Sequence, residues 1–161
     1  MGFVPDKNDA GTSIHIPFYE DQADAKIPGR GTDKTPEQLQ SEILDLMTKL
    51  GAYNVLFVSG KSDEKPVRYG YRITFMASGH PGRIDVAALP MRAETPARKQ
   101  KALAQALYGI RNWLESEVFS QYYRPGNIPL LPYMIGEGNL TVNESITQKR
   151  ELLLQSKVDE G

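Results

Sequence analysis

The chain has no cysteine among its 161 residues. That excludes disulfides, thiolate metal sites and a cysteine nucleophile, and it suits a reducing compartment. Histidine is nearly as scarce. His15 and His80 are the only two, and they fall in separate loops or arms, so a histidine metal site or acid–base pair needs the fold to bring them together. No serine sits in a Gly-x-Ser-x-Gly elbow. No apolar run reaches the ~18 residues of a membrane-spanning helix. Met1 to Ala10 lacks the basic start and apolar stretch of a secretory signal. We therefore expect a cytoplasmic protein with no membrane partner. Two Asn-x-Ser/Thr triplets, at Asn139 and Asn143, carry no meaning without secretion.

What the sequence does have is alternation, helical stripes and an uneven charge distribution. Val67 to Met76 places Val, Tyr, Tyr, Ile and Phe at odd positions and Arg, Gly, Arg, Thr and Met at even ones. Period-two alternation of this kind marks a strand with one buried and one wet face. Arg83 to Leu89 alternates again. Between them Ser78-Gly79-His80-Pro81-Gly82 reads as a hairpin loop. One shared core for both strands suggests Ile73 opposite Val86, Phe75 opposite Ile84 and Thr74 opposite Asp85, with Arg83 near Met76. Tyr53 to Ser59 is a third, β-rich run. Its apolar residues fall on both faces, which points to a central place in the sheet.

Two helices flank these strands. Thr35-Pro36-Glu37-Gln38 has a cap, a first-turn proline and the glutamine of a capping box. Leu39, Ile43, Leu46, Met47 and Leu50 follow as one stripe, and Gly51 is a stop. The second helix starts after Thr95 with Pro96, and Leu103, Leu107, Ile110, Leu114 and Val118 form its stripe. The expected fold is α+β: an α-β-β-β-α core over residues 35–119, with an antiparallel three-stranded sheet and helices on one face. An N-terminal arm, 1–34, precedes it, in which Thr12 to Phe18 reads as a short edge strand interrupted by Pro17. Residues 120–161 follow as a proline-rich segment and a C-terminal tail helix, Leu140 to Val158. The three prolines at 125, 129 and 132 exclude a regular helix or central strand from residues 124–133 and suggest an extended segment on the surface.

The net charge is −1, yet its distribution is not even. Residues 61–111 hold 10 Lys/Arg against 4 Asp/Glu, while residues 1–60 hold 5 against 9 and residues 112–161 hold 4 against 7. A basic middle of this kind can mark an anionic partner. Catalytic signatures are missing beside it. Helix, three strands, helix is also the order at the centre of metal-dependent nucleases, whose chemistry needs a strand acid, then an acid and a lysine two residues apart. Asp85 is the sole strand acid, and Ala87 stands where the lysine belongs. Gly60-Lys61-Ser62 ends like a phosphate-binding loop, but Val55 occupies the position of the required earlier glycine. We expect no catalytic residue, metal or cofactor.

Double-stranded RNA-binding domains share the element order, and single-strand annealing proteins have a related strand–helix layout; this is an analogy of topology. From the residues themselves, Arg68, Arg72 and Arg83 are expected on the open sheet face, with Arg98, Lys99 and Lys101 at the second helix start, as phosphate contacts. The first expectation is a non-enzymatic nucleic-acid-binding protein, taking single-stranded DNA or RNA in preference to a small molecule, as a homo-oligomer or larger assembly. The alternative is a structural protein whose arm and tail dock on neighbouring subunits without a nucleic-acid role.

Overall fold

The computed structural model describes residues 14–25 and 27–159. Its core follows the expected order: α1 Pro36–Lys49, β1 Ala52–Lys61, β2 Tyr69–Ala77, β3 His80–Ala87 and α2 Pro96–Ser120, with α3 Val142–Asp159 beyond. The three strands form one antiparallel sheet in the order β1-β2-β3. Both core helices begin as their sequences require. Thr35 Oγ1 accepts from the Gln38 N–H at 3.2 Å while Gln38 Oε1 accepts from the Thr35 N–H at 2.9 Å, the reciprocal capping box. Thr95 Oγ1 accepts from the Arg98 N–H at 3.2 Å.

The apolar stripes meet the sheet on one face. Leu39, Ile43 and Met47 of α1 and Leu107 and Leu114 of α2 are fully buried, against Ile73, Phe75, Ile84 and Val86 of the strands. Burial of each such side chain contributes roughly 1.5–3 kcal/mol. The proline-rich segment does more than lie on the surface. It carries Leu130 into the core at 1 % exposure, and Tyr133 packs edge-on against Trp113 with ring centroids 5.3 Å apart. Met134 then bridges to Gly82, and the Ile135 N–H donates to the Pro81 carbonyl at 2.8 Å. This segment covers part of the outer edge of β3.

Three expectations need correction. First, the hairpin register is shifted by two residues. Ile73 faces Ile84, Tyr71 faces Val86, Arg72 faces Asp85, Thr74 faces Arg83, and Met76 faces Pro81. The inward and outward faces are as expected, because a shift of two preserves them. The cause is the turn. Ser78 and Gly79 both have positive φ, 51° and 78°, which is the two-residue turn that matches strand twist, so His80-Pro81-Gly82 belongs to β3 instead of a loop. Second, β1 is an edge strand and β2 is central. Leu56 and Val58 of β1 point to the open face and are 64 % and 54 % exposed. Third, Ile14 to Phe18 forms no strand, while Thr12 and Ser13 lie outside the described residues. Pro17 is buried, and the arm's base is held by its own chain: the Tyr19 N–H donates to the Pro90 carbonyl at 2.7 Å.

The shifted register sets Phe75 opposite Gly82, and the phenyl ring occupies the space a side chain would take there. A Cβ on Gly82 would lie 2.3 to 2.9 Å from three ring atoms, and Phe75 is itself 97 % buried, leaving the ring little room to move. We expect Gly82→Ala to lower stability by about 1–3 kcal/mol, the usual cost of overpacking. Urea unfolding should show a reduced midpoint with an unchanged slope.

Candidate functional site

Arg68, Arg72 and Arg83 were expected on the open sheet face as phosphate contacts. The hairpin register instead gives each of them a partner. Arg72 and Asp85 are opposite one another, and the guanidinium makes a bidentate pair, Nε to Oδ1 at 2.8 Å and Nη2 to Oδ2 at 3.1 Å. Arg83 sits closer to the C-terminal segment. It donates to the Asn139 carbonyl at 3.0 Å, pairs with Glu144, and its side chain is only 13 % exposed. Arg68 turns back along the chain. Its Nε donates to the Ala88 carbonyl at 2.8 Å and its Nη2 to the Ala87 carbonyl at 3.1 Å. Those contacts tie the start of β2 to the exit of β3. A depression of about 430 Å³ near Val58, Lys61, Arg68 and Arg72 thus has two of its three cations already engaged.

At the start of α2 the outcome is mixed. Arg98 donates to the Ala93 carbonyl at 2.8 Å and lies 3.6 Å from Glu20. Lys101 is exposed. The Lys99 ammonium rests 4.3 Å from the centroid of the Tyr69 ring, a cation–π contact, while the Tyr69 hydroxyl donates to Glu94 at 2.8 Å. Among the described residues neither Lys99, Lys101 nor Lys61 has a carboxylate within 4.0 Å.

The structure brings Lys61 and Lys99 to one place. Lys61 ends β1, Lys99 lies in the first turn of α2, and both line a groove of about 380 Å³ with Ser59, Gly60, Tyr69 and Gly70. Gly60 and Gly70 are paired across β1 and β2. Gly70 has no room for a side chain, since a Cβ there would lie 2.0 Å from the Val86 carbonyl oxygen. Two facing glycines leave the floor of the groove as bare backbone. The first turn of α2 carries no acidic residue, so the partial positive charge of the helix start is not offset within the helix. Lys61 enters the sequence reading only within Gly60-Lys61-Ser62, a triplet that fails the phosphate-loop pattern. The available signal was its place at the end of a strand beside a glycine.

The C-terminal helix is held by electrostatics that meet the same hairpin. Thr141 caps α3: its hydroxyl accepts from the Glu144 N–H at 3.2 Å, and its N–H donates to Glu144 Oε1 at 2.9 Å. That backbone N–H first, then the Thr141 hydroxyl and the nearby Arg83, hold the Glu144 carboxyl below its ordinary range, against an opposing push from burial. No protein-family model, curated protein or solved structure matches this chain.

A depressed folded-state pKa means that Glu144 contributes stability above its ordinary glutamate range and loses it as pH falls through the folded value. We expect Glu144→Gln to lower stability at neutral pH and to flatten the decline in acid below about pH 4.5. Urea midpoints measured across that range for both proteins check the sign. An equal acid decline in both would assign the pH response to other carboxylates.

Proposed function

We propose that this protein binds nucleic acid without catalysing a reaction, and that it holds the phosphates at the basic end of the sheet instead of across its open face. One observation carries the reading. Lys61 and Lys99 come from different elements, line one groove floored by Gly60 and Gly70, and have no carboxylate in salt-bridge range among the described residues. Ammonium groups without protein counterions are what a phosphate backbone exchanges for its condensed cations. The Tyr69 ring is half-buried against the Ala88, Ala102 and Leu103 cluster and holds the Lys99 ammonium over its face at the groove. The ligand proposed is single-stranded DNA or RNA, with the duplex as the comparison.

The roles of the arginines change accordingly. Arg68, Arg72 and Arg83 are satisfied by carbonyls and carboxylates, so the work of the basic sheet face is to fasten β2, β3 and the C-terminal segment together. Breaking those contacts to reach a phosphate costs what the contacts contribute, which offsets the gain.

The test is fluorescence anisotropy with labelled single-stranded and duplex oligonucleotides at low and moderate salt. Wild type should bind the single strand with an affinity that falls as salt rises. Lys61→Gln with Lys99→Gln should weaken binding for all sequences alike and make the slope of log K against log salt shallower by about 1.4, two contacts at ~0.7 each. Arg72→Ala, whose loss frees Asp85, should leave that slope unchanged. Absence of binding at low salt ends the reading, and an unaltered slope in the double variant moves the site elsewhere.

A further inference from the structure

β1 combines two properties that do not fit an isolated chain. It is apolar on both sides, with Val55 and Phe57 packed toward the helices and Leu56 and Val58 on the open face. Among the described residues it also lies at the edge of the sheet. Edge strands are ordinarily protected by a charge, a proline, a bulge, a short length or a covering segment, and the one irregularity of β1, between Tyr53 and Leu56, leaves Leu56 to Gly60 regular. β1 is ten residues long and has neither charge nor proline before its last residue, Lys61. The opposite edge is treated differently, since Met134 and Ile135 pair with Gly82 and Pro81 of β3.

We propose that the outer edge of β1 pairs antiparallel with β1 of a second copy of this chain, about a two-fold axis at Phe57, to make a continuous six-stranded sheet. The sequence is self-complementary in that register. Leu56 stands opposite the partner's Val58, and Val58 opposite the partner's Leu56, so the two exposed aliphatic residues of each chain become four in mutual contact on one face. Val55 stands opposite the partner's Ser59 on the other. No like charges meet anywhere in residues 55–59. The Asn54 backbone, with φ 52°, breaks the regular strand where the β1–β2 register shifts, and so limits the ladder to these residues. The arm of the same chain is a weaker occupant. Its base is fastened to its own chain at Pro90, past the end of β3, whereas β1 offers a second β1 a complementary strand over residues 55–59. Pairing of this kind is isologous and closes at a dimer. In that dimer β1 is a central strand, as its two apolar faces call for.

Sedimentation velocity and cysteine cross-linking test the pairing. Wild type should sediment as a dimer at micromolar concentration, and Val58→Lys should sediment as a monomer with an unchanged circular dichroism spectrum. Because the chain has no cysteine, single cysteines report the register directly. A mixture of Leu56→Cys and Val58→Cys should oxidise to a covalent dimer containing one of each, several-fold in excess of either homodimer. This arm stands even if Val58→Lys fails to fold. A wild-type monomer overturns the proposal, as does a dimer that survives Val58→Lys or lacks the mixed cross-link. A preferred cross-link between Ile14→Cys and Leu56→Cys assigns the edge to the arm and overturns it equally.

Discussion

The two-residue turn at Ser78 and Gly79 fixes more of this molecule than any single core contact. Both residues hold positive φ, a conformation glycine adopts at no steric cost and serine at some cost. With the turn closed there, Ala77 pairs with His80 and every later pair is determined. Phe75 lands over Gly82. Arg72 lands opposite Asp85. Thr74 lands opposite Arg83, which brings Arg83 under Asn139 and Glu144. The C-terminal segment is thereby docked through a residue whose placement a turn decided some sixty positions earlier in the chain.

The same register gives partners to the three arginines of the sheet face. Residues 61–111 are strongly cationic by count, yet counting cannot show which cations have partners. Arg68 bonds two carbonyls, Arg72 one carboxylate, and Arg83 a carbonyl and a carboxylate. Guanidinium groups suit such work, since their planar fork of donors can satisfy several acceptors at once. The lysines do not enter these networks. Lys61 and Lys101 are exposed and Lys99 is half-buried over the Tyr69 ring; none of the three has a carboxylate within 4.0 Å among the described residues.

Local chemistry was legible in the sequence, and relations between distant segments were less so. The caps at Thr35 and Thr95 and the helical stripes are encoded within a few residues and form as read. The α+β order and the buried face of β2 follow from periodicity alone. Register did not follow, because periodicity constrains parity and leaves shifts of two open. The place of β1 was misjudged for a related reason. Apolar residues on both faces record how much of a strand is to be covered without recording by what. Lys99 was legible in the basic helix start, but its neighbour Lys61 was not, because the groove joins the end of β1 to the start of α2, 38 positions apart.

The bare edge and the basic groove lie on the same strand, and their positions along it matter. Pairing about Phe57 uses residues 55–59, which stops short of Lys61. In the proposed dimer the groove stays outside the ladder, and the two-fold axis sets the two copies of Lys61 eight strand positions apart, about 26 Å at ~3.3 Å per residue. In the proposed reading a single groove with two lysines gives weak, salt-sensitive binding. Two such grooves at a fixed separation on one rigid sheet convert the second contact into an intramolecular one, and affinity then rises through effective concentration without any new side chain. On this view the arginines that appeared to supply the binding energy supply rigidity instead. They hold β2, β3 and the C-terminal segment in the frame that keeps the lysines at their spacing.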